Sequence, residues 1–400
     1  MHCDCCLFDA NAQPFKTQNM KRYILPFLFA VSCTAQAQDS LFIRKMVDTL
    51  ASPYFWGRGY TNEGMHKAQN FISAQFKQEG LLPLDGKDYL QNFSYPVNTF
   101  PGKMDVSVNG IKLEGGKDFI IAPESRSLTA SGTLTQQDSI HFVDPVNRIV
   151  IKLENKLTWD VSPSVADYTG IIINETRFKA LPVQISVNIE NVLNKKFAAA
   201  NICGYVKGTV APDSFIFITA HYDHLGGMGS SIYFPGANDN ASGTSVLLSL
   251  VHYYVAHPQP FSIGFISFAG EEPGLLGSKY FTMHPLVPLK NIRFLLNLDL
   301  EGTGEEGITV VNATEFAREF AYMQEINNKG HYLAAVNARG KAANSDHYFF
   351  TEKGVPSFFF YTLGGIKAYH DVFDRRETLP LTKVNDLQKF IEDFIEKLQL

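Results

Sequence analysis

Ser214-Phe215-Ile216-Phe217-Ile218-Thr219-Ala220 is an almost unbroken apolar run, followed at once by His221-Tyr222-Asp223-His224. A short apolar run of this kind reads as a strand buried on both faces, the texture of strands inside a parallel sheet. The residues after it repeat the theme. Pro235-Gly236-Ala237-Asn238-Asp239-Asn240 forms a loop, a helix is expected over 241–257, and 261–268 is a second buried strand. Beyond it the pattern predicts a helix from about Gly274, strands over 292–298 and 308–312, a helix over 314–328, and a strand over 356–362 that contains Phe358-Phe359-Phe360. A final helix carries Val384, Leu387, Phe390, Ile391, Phe394, Ile395 and Leu398 on one face, a stripe suited to core packing. Alternation of strand and helix implies the α/β class: a three-layer α/β/α sandwich with a mixed, mostly parallel central sheet.

Working outward, residues 39–50 and 63–78 read as helices, the second with Ala68, Phe71, Ile72 and Phe76 at helical spacing. From about 95 to 200 the texture changes. Met104 to Leu113 alternates around Asn109-Gly110, a hairpin signal, and 148–153 and 183–189 are further short β-like pieces. The expected organisation is one domain made of 38–94 and 201–400, interrupted by a small β-rich insert at 95–200.

The first 37 residues read differently. Met20-Lys21-Arg22 opens a basic stretch, an apolar run extends from Tyr23 to Val31, and Ala35-Gln36-Ala37 follows. This is the layout of an export signal cleaved after Ala37, with Met20 as the true start and Gln38 as the first mature residue. A second reading takes Ala30-Val31-Ser32-Cys33 as a lipoprotein box with Cys33 lipidated. The apolar run is too short for a membrane span, which needs about 20 residues. The expected location is therefore the periplasm or the exterior, soluble or lipid-anchored. Of five cysteines, Cys3, Cys5, Cys6 and Cys33 lie in or before the signal, so Cys203 has no intrachain disulfide partner. The composition, 45% hydrophobic and 19% charged with a net charge of −5, is that of an ordinary globular chain. It offers no basic patch for nucleic acid.

In open α/β sheets, ligands bind just beyond the carboxyl ends of strands. Here those ends carry His221 and Asp223, then Glu271 and Glu272 after Ala269-Gly270, then Asp299, and finally Tyr369-His370-Asp371 after the last strand. Asp239 stands where the loop meets the first helix. So many carboxylates cannot share one rim unpaired. A pair of divalent cations resolves the conflict, and mixed His/carboxylate ligation suits zinc.

These segments resemble the M28 zinc aminopeptidases. The likeness rests on His221-Tyr222-Asp223-His224-Leu225-Gly226, Pro235 to Gly243, Ala269-Gly270-Glu271-Glu272 with Leu276-Gly277-Ser278, Asn297-Leu298-Asp299, Ser345-Asp346-His347 and Tyr369-His370, in that order over roughly 200–400. The resemblance implies two zinc ions, one held by His221, Asp239 and Asp299 and the other by Asp239, Glu272 and His370. It implies Glu271 as general base, Asp223 as the acceptor orienting His221, and Tyr369 as an oxyanion donor. The substrate it implies is a peptide with a free N-terminus. The insert stands where some family members carry a protease-associated-like domain.

Other readings compete. His224 reads as a satisfied structural histidine. Asp239 could cap the helix that follows, although Asn240 or Ser242 could do so instead. Ser345-Asp346-His347 is adjacent in sequence, which is not triad geometry; a supporting or pocket role is expected. A glutaminyl cyclase or a non-catalytic binding ectodomain could be built on the same fold. A carboxypeptidase would need a cation for the terminal carboxylate, for which Arg339 and Lys341 are the candidates.

Overall fold

The computed structural model describes residues 40–399. The expected export signal at 1–37, with Met20, Cys33 and the cleavage point after Ala37, lies outside the described residues.

Among the described residues, nine strands form one mixed sheet. At its centre Phe261–Phe268, Ala211–His221, Ile292–Leu298 and Ser357–Leu363 lie side by side, all parallel. Antiparallel strands flank this block, Val192–Val206 against Phe261–Phe268 on one side and Gly307–Val311 against Ser357–Leu363 on the other. The central strands are apolar runs because both faces are covered. Ile216 and Ile218 belong to a core shared with the helices over 40–50, Gly64–Glu79, Gly243–Ala256, Ala317–Gly330 and Val384–Lys397. The alternate residues Phe215 and Phe217 face a second core with Phe281 and Phe350, from helices Leu276–Met283 and His347–Glu352. The period of two along one strand therefore separates the two outer layers of the sandwich.

The C-terminal stripe packs as its spacing requires. Val384, Leu387, Phe390, Ile391, Phe394 and Ile395 are all buried in the first core, and each large side chain so removed from water contributes about 1.5–3 kcal/mol. Phe394 stacks on Phe358 and meets Phe294 edge-on, with centroids 6.0 and 5.6 Å apart.

The chain leaves the sheet along Leu90–Thr99 and returns along Val192–Val206, and these two strands pair antiparallel. The boundary residues expected from sequence, 95 and 200, both fall inside this strand pair. Between the strands lie two small sheets. One contains the hairpin Met104–Val108 with Ile111–Lys112 around Asn109-Gly110, the other strands Ile149–Glu154 and Thr169–Asn174. They enclose a separate core that takes in Leu225, Met228, Phe234 and Val372 from the main-sheet half. The insert is thus docked on the rim where the main strands end. Cys203 is buried and free, and no helix among the described residues is long and apolar enough to cross a membrane.

Candidate metal centre

Strand Ala211–His221 delivers His221 to the rim. Its Nε2 lies 3.4 Å from Asp239 Oδ1 and 3.3 Å from Asp299 Oδ1. His370, in the loop after the last strand, points its Nε2 to within 3.1 Å of both Asp239 Oδ2 and Glu272 Oε2. Asp239 therefore stands between two imidazoles, one at each carboxylate oxygen. His221, Asp239, Asp299 and His370 are all less than a tenth exposed.

The other ring nitrogens fix the tautomers. His221 Nδ1 faces the main-chain carbonyl of Asp223 at 3.2 Å, and His370 Nδ1 faces that of Trp159 at 2.9 Å. A carbonyl only accepts, so each Nδ1 carries the proton and each neutral ring turns an Nε2 lone pair toward carboxylate oxygens. Lone pair against anion is repulsive unless a cation lies between or the ring is protonated. Without a metal the proton is the available cation. Burial opposes it, but Glu272 and Asp239 prevail and raise His370 to about 12. Burial likewise works against His221, whose pKa Asp299 and Glu271 nevertheless lift well above the usual value. Against burial, His370 and His224 hold Glu272 down to about 2. The donor set thus fits divalent cations at two adjoining positions, one at His221–Asp239–Asp299 and one at Asp239–Glu272–His370, His224 lying within the second group.

Asp239 is held by groups that sequence reading did not single out. The loop bearing it wraps the buried Arg58, whose guanidinium donates to the carbonyls of Leu50, Tyr222, Pro235, Gly236 and Asp239 at 2.8–3.2 Å. Asp374 accepts the backbone N–H groups of Asn238 and Asp239 at 2.8 and 3.0 Å. Gly236 makes the bend at φ +57, where a Cβ would stand 2.1 Å from the Asp239 carbonyl oxygen. The capping role falls to Asn240, whose Oδ1 accepts the Gly243 N–H at 2.9 Å. The helix accordingly starts at Gly243, two residues later than the pattern predicts.

Asp223 differs from expectation. The acceptor for His221 Nδ1 is the Asp223 main chain, and its carboxylate stands 3.8 Å away. That carboxylate instead receives the backbone N–H groups of Glu271 and Glu272 at 3.1 and 3.4 Å. It fixes the turn bearing both glutamates, and burial raises it to about 6. The two glutamates diverge through this turn rather than through strand alternation. The strand ends at Phe268 and the left-handed Gly270, at φ +67, redirects the chain. Glu272 is thereby aimed at His370, while Glu271 lines an open cavity of about 230 Å³ with His221, Asp299 and Tyr369.

His224 is not a satisfied structural histidine. Its Nδ1 donates to Glu272 Oε1 at 2.6 Å, leaving Oε2 for His370, and its buried Nε2 has no hydrogen-bond partner among the described residues. Ser345 of the Ser-Asp-His segment donates to Asp299 Oδ2 at 2.9 Å and accepts from Asn297 at 2.8 Å; Asp346 and His347 are buried behind it. Tyr369 stacks on His370, with centroids 4.0 Å apart, and is 43% exposed at the mouth of the cavity. The insert supplies no carboxylate or imidazole to the cluster, but Trp159 and His370 exchange two bonds. The Trp159 N–H donates to the His370 carbonyl at 2.8 Å while His370 Nδ1 donates to the Trp159 carbonyl.

The family model of peptidase family M28 matches residues 201–395. Aminopeptidase YwaD of Bacillus subtilis is 27% identical over 291 residues, covering 70% of this chain and 63% of that protein, so the chain spans less than two thirds of that relative. Among solved structures, a zinc aminopeptidase of Bacillus subtilis superposes with a TM-score of 0.67 at 18% identity, covering 89% of this chain and 94% of that one. An aminopeptidase from Aneurinibacillus sp. strain AM-1 gives 0.63 at 16% identity, covering 89% and 93%. At such identities these two structures speak for the fold.

Proposed function

From the match of residues 201–395 to peptidase family M28, we propose that the chain is a member of that family and a zinc-dependent exopeptidase, an aminopeptidase that hydrolyses the first peptide bond of peptides with a free N-terminus. One observation carries the reading: two imidazoles, each with Nδ1 committed to a main-chain carbonyl, face the two oxygens of the single carboxylate Asp239.

In this reading His221, Asp239 and Asp299 hold one zinc and Asp239, Glu272 and His370 the other. Bound there, zinc polarises the scissile carbonyl and makes water acidic enough to attack near neutral pH. Glu271 does the proton work. Burial and the carboxylates of Glu272 and Asp299 push its carboxyl well up, with His221 opposing. A base so raised takes a proton from water and returns it to the departing amine. The Tyr369 hydroxyl, at the cavity mouth, donates to the carbonyl oxygen as negative charge develops. Asp223 keeps Glu271 and Glu272 in their separate directions. The insert shapes access to the cavity, and the signal read at 20–37 makes an exported location, periplasmic or secreted, part of the proposal.

The test is hydrolysis of a panel of aminoacyl-p-nitroanilides with and without chelator and zinc add-back, beside Glu271→Gln. Turnover is expected to vanish with chelator, return with zinc, and fall by about 10²–10⁴-fold in the variant. A folded, zinc-loaded protein that turns over no unblocked substrate would sink the reading.

A further inference from the structure

The cavity beside the metal cluster is lined by two chemically different sets of residues. Besides His221, Glu271 and Asp299 it takes in Arg339, Asn344 and Tyr361. Arg339 is the only Lys or Arg among the described residues lining it. Its backbone is pinned, the N–H donating to the Val310 carbonyl at 2.9 Å and the carbonyl accepting from Ala313 at 3.1 Å. Its guanidinium makes a single neutral contact, Nη1 to the Tyr361 hydroxyl at 3.3 Å, and no ion pair among the described residues. Lys341, the other candidate cation, is paired with Glu352 instead.

An arginine carries five N–H donors in a planar fork that matches a carboxylate. Here the exposed Arg339 side chain contributes to the lining of a cavity of about 230 Å³. Of the carboxylates lining it, Asp239 faces His221 and His370, and Asp299 faces His221.

From this geometry, and resting on the aminopeptidase reading, we infer that Arg339 recognises a carboxylate of the substrate. The carboxylate comes from one of two sources: the side chain of an N-terminal Glu or Asp, or the terminal carboxylate of a dipeptide.

Two substrate pairs separate the sources. Glu-p-nitroanilide against its neutral isostere Gln-p-nitroanilide reads the side chain, and Ala-Ala against Ala-Ala amide, followed by alanine release, reads the terminus. One of the two ratios of kcat/KM is expected to favour the carboxylate by about 10-fold or more, chiefly through KM. Arg339→Gln should bring that ratio near one, and Arg339→Glu should invert it. Both ratios near one in the unaltered protein, or a ratio that survives Arg339→Gln, would overturn the assignment. If no unblocked substrate is hydrolysed, the aminopeptidase reading falls by itself. Arg339 is then judged by calorimetric binding to the zinc-loaded protein, of L-glutamate against L-glutamine for the side chain and of Ala-Ala against Ala-Ala amide for the terminus, where equal affinities within both pairs reject it.

Discussion

Strand Phe261–Phe268 of the main sheet and strand Gln184–Ile189 of the insert show two ways of burying a strand. In the first, every residue after Phe261 is buried; in the second, burial alternates, with Ile185, Val187 and Ile189 inward. Two-sided burial comes from helices on both faces, and it gathers the carboxyl ends of parallel strands on one rim. That rim supplies His221, Glu271, Glu272 and Asp299. One-sided burial leaves the insert with a wet outer face and a dry inner one, and its grip on the site runs through the main chain of Trp159. The main-sheet half contributes side-chain chemistry, while the insert contributes position.

That division can be broken at several points. The largest effect is expected from Asp239→Asn, which removes a charge shared by both proposed zinc positions. Hydrolysis should fall by about 10³-fold or more, and bound zinc, measured by mass spectrometry of metals, should drop at both positions. Retention of one full zinc would show that the two halves of the cluster are independent. Next, Phe394→Ala should cost about 3–5 kcal/mol in denaturant unfolding, as expected for a large buried aromatic at a core contact. A smaller loss would mean that the main core tolerates cavities better than its packing suggests.

Trp159→Ala sharpens the comparison from the insert side. Trp159 stacks on Phe234 at 4.6 Å and donates Nε1–H to the Ile121 carbonyl at 2.8 Å, so its loss loosens the loop that holds His370. Alanine keeps the main-chain carbonyl that His370 uses but no longer anchors it, and disturbing such a ligand's partner weakens metal affinity by up to about 10–100-fold. The loss should fall on the zinc at His370 and spare the one at His221, as read by stepwise titration with zinc or cobalt. Equal weakening of both would contradict a purely positional role. The smallest effect is expected at the outer face of the insert. Lys112 pairs with Asp105 at 2.9 Å with both side chains more than half exposed, and Lys112→Ala should change stability by less than about 1 kcal/mol.

Much of the main-sheet half was legible because its strands are short and uniformly apolar. The boundaries 261–268 and 292–298 coincide with the structure. The residues that assemble the cluster were legible for a related reason: titratable side chains directly after a buried strand are costly there unless they do something. The supporting groups were not. Arg58 lies between two glycines in no periodic pattern, and its role depends on carbonyls from residues 50 to 239. Trp159 acts through a backbone atom, which every residue possesses.

Sequence alone determined which segments become buried strands, which helix faces are apolar, and which carboxylates and histidines end up at strand ends. Those properties follow from local periodicity and from the cost of burying charge. Only the tertiary structure decided that His224 grips Glu272, that the Asp223 carboxylate serves two amides rather than His221, that Arg339 faces the cavity and that Lys341 does not. Each of these is a choice of partner across tens to hundreds of residues. Such choices are settled by how the elements pack in space, on which spacing along the chain carries no information.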